Sequence, residues 1–176
     1  MSIVAALGAY AGQPLQPERD WAFFDAEFAI SAETLAQVQA LTPDAAAQLW
    51  THHVSTHPDE THPMRLGTGH LLQPTVAGPD WLVEFDAVSS EHPAQSGRVA
   101  RFLNSHFHAA VAAPVFFMAS RARAYVLTPA ALAACWPCLL AISDESPLLY
   151  QPATAKFAYF SPQGALAGGD DGLPSV

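Results

Sequence analysis

Fifteen prolines are spread along a chain of 176 residues, and they set the limits on what it can fold into. Each one removes a backbone donor and fixes φ, so no helix runs far without meeting one. This argues against a long helical bundle and for short elements joined by irregular connections. Some of the prolines also announce elements. Thr42-Pro43-Asp44 and Thr128-Pro129 each place a hydroxyl N-cap before a proline at the first helical position.

Hydrophobic periodicity fills in the rest. Ala46, Leu49, Trp50, His53 and Val54 recur on one helical face, which predicts a helix over 43–55 that Pro58 ends. Val99, Phe102, Leu103, His106, Phe107 and Ala110 predict a second over 98–110. Leu132, Cys135, Trp136, Leu139 and Leu140 predict a third over 129–141. Ser31, with Glu33 in the first turn, caps a shorter helix through about Ala40. Trp21-Ala22-Phe23-Phe24 reads as a short aromatic strand or buried anchor. Strands are predicted at 81–86, 114–119, 123–127, 147–151 and 156–160, from alternating or bounded apolar runs. The expected fold is α+β, one two-layer domain with a mainly antiparallel sheet packed against three to four helices. Residues 1–19 form a loosely ordered lead-in, 20–164 the domain, and 165–176 a disordered tail. Residues 58–80 show no periodicity and form an irregular excursion.

The net charge is −9, with 16 acidic residues against seven Lys and Arg. Nucleic acid needs clustered cations, so it is not an expected partner. A basic protein partner suits the sign of the charge. Met1 to Gly12 has no basic segment before its apolar patch, and the longest apolar run, 109–119, is broken by Pro114. The expectation is therefore a cytoplasmic protein with no membrane partner. Two cysteines do not make a secreted disulfide scaffold.

Those two cysteines form Cys135-Trp136-Pro137-Cys138, a C-x-x-C spacing that is a candidate for thiol redox chemistry. Catalytic cysteines of this kind open a helix, where the dipole stabilises thiolate. Here the opening is Thr128-Pro129, two turns earlier, which favours cysteines packed in a core. Pro137 leaves two arrangements open: a kink in one helix, or a new helix starting at Pro137 with Cys135 near its N-terminus.

Eight histidines include His52, His53, His57 and His62 in one short stretch. His53 and His57 have helical metal-pair spacing, with His62 a third candidate ligand and Asp59 or Glu60 as oxygen donors. Pro58 works against a helical His57. His53 and His106 each occupy a core-facing slot, so a shared pocket with Trp50 and Trp136 is a further candidate site, with Glu84 or Asp86 orienting one ring. No nucleophile elbow, phosphate loop, dinucleotide fingerprint or calcium loop occurs. Hence no catalytic residue and no cofactor is assigned.

Val115-Phe116-Phe117, then Tyr125-Val126-Leu127-Thr128, then Cys135-Trp136 with Leu139-Leu140, then Asp144 to Leu149 follow one another in an order that resembles a bacterial family of small uncharacterised proteins, a domain of unknown function. Upstream, Trp21 with Phe23, Leu41-Thr42 to Leu49-Trp50 and His57-Pro58 are similar too. The resemblance spans Trp21 to Gly168 and is carried mainly by residues 114–164 and 21–58. It implies a compact single domain, with no assigned activity or catalytic residues to carry over. Pro129, Pro137 and Cys138 depart from its pattern. Together these readings point to a small acidic binding protein, immunity or antitoxin-like, acting through protein–protein contact. A thiol redox protein using Cys135 and Cys138 and a histidine-centred metal-binding protein are the alternatives.

Overall fold

The protein is described from a computed structural model, covering residues 10–67, 83–84, 93–107, 113–143, 146–160 and 165–170. Four helices lie among them: α1 (Ala32–Leu35), α2 (Pro43–His53), α3 (Pro93–His106) and α4 (Pro129–Ile142). Their starts follow from the caps. The hydroxyls of Ser31, Thr42 and Thr128 accept from the amides of Thr34 (3.1 Å), Ala45 (3.3 Å) and Ala131 (3.1 Å).

Eight strands form one sheet: β1 (Gly12–Gln13), β2 (Val38–Leu41), β3 (Val83–Glu84), β4 (Val115–Ser120), β5 (Arg123–Leu127), β6 (Leu148–Gln151), β7 (Lys156–Phe160) and β8 (Ala165–Asp170). The order across the sheet is β1-β2-β5-β4-β6-β7-β8-β3. Every pairing is antiparallel. The fold is therefore α+β, as the sequence predicts.

Alternation along the central strands divides the core. Phe116, Met118, Ala124, Val126, Leu148, Tyr150 and Phe157 meet Leu49, Trp50 and Val54, the apolar face of α2 and the residue that follows it. Val115, Phe117, Tyr125, Leu127, Leu149, Ala158 and Phe160 point the other way, onto Val99 and Leu103 of α3 and Leu132, Cys135, Trp136 and Leu139 of α4. Registration keeps the sets apart: Phe116 pairs with Val126 and Tyr150, whereas Phe117 pairs with Tyr125 and Leu149. The helices thus cover both faces, and the sheet is the middle of three layers rather than one of two.

Several elements differ from expectation. Trp21–Phe23 is a 3₁₀ turn, not a strand, although Ala22 and Phe23 are buried as an anchor. The helix after Ser31 stops at Leu35, because Val38, Gln39 and Ala40 pair with Leu127, Val126 and Tyr125 of β5. Within the lead-in, Gly12–Gln13 joins the sheet edge beside β2. Ala165–Asp170, expected to begin the disordered tail, pairs along the length of β7 as β8. Helix α3 begins at Pro93, earlier than periodicity indicates. Of the strand expected at 81–86, Val83–Glu84 pairs with β8, and the rest lies outside the described residues, as do residues 108–110 of the helix expected at 98–110. Among the described residues, no helix is long and apolar enough to cross a membrane.

Candidate functional site

Helix α4 runs unbroken across Pro137, so Cys135 and Cys138 lie in its interior rather than at a start. Both are free and fully buried. Burial raises the Cys135 thiol strongly, and the neighbouring Cys138 adds to it. Burial pushes Cys138 up to about 12, and the nearby Asp25 carboxylate acts in the same direction. Both sulfurs are held as thiols, the poor nucleophile. Cys138, which lies off the stripe read from the sequence, is buried because the Trp21–Phe23 turn and α1 pack onto α4 from outside the sheet.

The histidines separate by face. His53 ends α2, its ring 5.0 Å from that of Tyr150, with the Tyr10 hydroxyl 3.4 Å from its Nε2 and 3.2 Å from His52 Nδ1. Burial, then the adjacent His52, holds His53 below the ordinary histidine value. His106 ends α3 on the opposite face, stacked on Phe102 at 5.1 Å with its Nε2 2.8 Å from the Phe157 carbonyl oxygen. Trp50 goes with His53 and Trp136 with His106, the latter indole stacked on Phe160. The sheet lies between the two halves, so the pocket expected from His53, His106, Trp50 and Trp136 does not form. The side chains of Glu84 and Asp86 lie outside the described residues. His57 and His62 do not join His53. The Nδ1 of His57 accepts from the Asp59 amide (3.4 Å) and that of His62 from the Met64 amide (3.3 Å), so both rings brace local turns. Among the described residues, no three His, Cys, Asp or Glu side chains converge as a metal-binding group.

The most elaborate polar arrangement is one the sequence did not announce. Asp20 is fully buried, and its carboxylate accepts from four donors. The Tyr125 hydroxyl donates to Oδ1 (2.7 Å), and the Gln16 amide to Oδ2 (2.8 Å). Arg19 donates from Nε to Oδ1 (2.8 Å) and from Nη2 to Oδ2 (2.6 Å). Arg123 closes the cluster, donating to the Tyr125 hydroxyl (3.0 Å) and the Arg19 carbonyl (2.6 Å). Burial works to raise the Asp20 carboxyl, but the bonds from Arg19, Gln16 and Tyr125 outweigh it and hold it below the ordinary carboxylate value. Burial, then the bond to Asp20, pushes Tyr125 up to about 12.

This cluster fixes the start of an unusual surface. Immediately after Asp20, Phe23 turns inward against Tyr125, their rings 5.9 Å apart. Trp21 and Phe24 on either side are left 47% and 48% exposed. Trp21 leans on Phe28 at 6.3 Å. Glu18, Asp25, Glu27 and Glu33 surround these rings in the chain, all at least partly exposed. Arg19 is already bound to Asp20. Two aromatic rings therefore stand in an acidic surround on a segment pinned from below. The Trp21-x-Phe23 pattern was visible in the sequence, but which ring faces out was not.

A sheet covered by helices on both faces, with a pinned acidic and aromatic segment at its side, makes this an α+β domain. The family described as "Protein of unknown function (DUF2947)" matches residues 14–169, and the chain belongs to it. No curated protein and no solved structure matches.

Proposed function

We propose that the protein binds a basic protein partner through the acidic, aromatic surface of residues 18–33. The observation that carries this reading is the pair Trp21 and Phe24, about half exposed on a segment locked by the buried Asp20 cluster. Large aromatic side chains dominate the energetics of protein interfaces, and a preordered segment loses little entropy on docking. The surrounding carboxylates and the net charge of −9 favour a cationic partner and speed its approach. Binding is preferred to catalysis because the buried sulfurs are held as thiols and the imidazoles are divided between two faces. An immunity or antitoxin-like role is one form that this function takes.

The test is affinity capture with the wild type, W21A/F24A and D25N/E27Q, each at low and high salt. The expected result is a basic partner retained by the wild type at low salt and released at high salt. The charge variant should show a smaller salt dependence. The aromatic variant should weaken binding by more than about thirtyfold, the loss of a hot spot worth about 2 kcal/mol. Equal capture of that partner by W21A/F24A would sink the proposal.

A further inference from the structure

A second site lies on the α2 side of the sheet. A cleft of about 630 Å³ is lined by Pro43 and Ala47 of α2, by Thr61, His62, Met64 and Arg65, and by Ser120, Arg121 and Ala122 of the β4–β5 hairpin. In a chain with more than twice as many acidic as basic side chains, its lining among the described residues holds two arginines and no carboxylate. Neither Arg65 nor Arg121 has a carboxylate within ion-pair distance among the described residues.

The walls are held rather than loose. The Arg121 guanidinium donates to the His57 carbonyl (3.1 Å) and the Thr51 hydroxyl (3.1 Å), and the Arg121 amide donates to the Thr61 carbonyl (2.8 Å). Two acids adjoin the lining in sequence, Asp44 after Pro43 and Glu60 before Thr61, and Glu60 has its carboxylate occupied away from the lining. One oxygen accepts from the Gly67 amide (2.8 Å) and the other from the Ser55 hydroxyl, which closes the loop that presents Thr61 to Arg65. Because His62 Nδ1 accepts from the Met64 amide, the neutral ring carries its proton on Nε2, a donor. The polar lining is thus two guanidiniums, an imidazole N–H and two hydroxyls, while Pro43, Ala47 and the exposed Met64 supply an apolar side.

We infer that this cleft binds a small organic anion, with its carboxylate or phosphate on Arg65 and Arg121 and a compact apolar body against Pro43, Ala47 and Met64. Planar guanidiniums suit both headgroups, and the volume falls in the range of small-molecule sites. This site is separate from the Trp21–Phe24 surface, and each can fail without the other.

Amide NMR titration of the full chain with inorganic phosphate, phenyl phosphate and benzoate tests it. Saturable shifts are expected at Thr61, Met64, Arg121 and Ala122, with phenyl phosphate binding more tightly than inorganic phosphate. Arg65 is exposed, so R65Q should leave the fold intact and weaken binding roughly tenfold, with R65K recovering part of the loss. The absence of saturable shifts with phenyl phosphate and benzoate would overturn the inference, as would unchanged affinity in R65Q. Binding to phosphatidylglycerol vesicles without binding to the soluble anions would overturn the small-molecule assignment.

Discussion

At Asp20 one carboxylate accepts four hydrogen bonds in a place shielded from solvent, and the surface beside it is ordered as a consequence. Substituting Asn keeps the shape but removes the charge that balances Arg19, so D20N should lose about 3 kcal/mol of stability. The pH dependence follows from the direction of the shift. The folded-state value lies below the ordinary 3.8, so the stabilisation is fully present above the unfolded value and is lost as pH falls through the folded one. Urea midpoints of the wild type and D20N should be far apart at pH 7 and converge in acid below 3.8. A gap that stays constant into acid would show that ionisation is not its source. None of this was legible in the sequence. Arg19-Asp20 looks like an ordinary surface pair, and its partner Tyr125 lies 105 residues further along the chain. The aromatic anchor beside it was legible, because Trp21 to Phe24 is too apolar to be idle.

Among elements, α4 shows how composition and periodicity give different answers. Its stripe marks one apolar face, yet Pro129 to Ile142 contains no charged residue, the mark of a helix buried on most sides. The composition was the better guide, since the sheet, α3, α1 and the Trp21–Phe23 turn all pack against it. Pro137 inside it has no N–H for the Ala133 carbonyl four residues back. P137A restores that donor, and should raise stability by about 1–3 kcal/mol, seen as a higher denaturant midpoint at unchanged slope. A lower midpoint would mean that neighbouring side chains are fitted to the proline. The threonine caps of α2 and α4 were legible because capping is local chemistry. The end of α1 was not, because Val38–Leu41 is held by strand pairing with distant β5.

For the molecule as a whole, the layering was written in β4 and β5 but in a form easily misread. Val115 to Ala119 and Ala124 to Leu127 are continuous apolar runs, and a strand loses alternation when both its faces are buried. Both runs are legible as strands, but the second helical layer they require is spelled out by neither run alone. The two cores predict independence. L49A and L103A, on opposite faces, should each cost about 2–5 kcal/mol. Their double mutant should show the sum to within about 0.5 kcal/mol, measured by chemical denaturation. A larger discrepancy would mean that the sheet transmits packing between its faces. The order of strands also bears on how the chain is made. Five adjacent strands, β5-β4-β6-β7-β8, come from residues 115–170, while β2 and β3, from the first half, pair with β5 and β8 at either end of that block. During synthesis the first hundred residues therefore leave the ribosome before the strands that receive them exist. The apolar side chains of α2 and β2 must wait uncovered, which makes the nascent first half the stage at which this protein depends most on protection from aggregation.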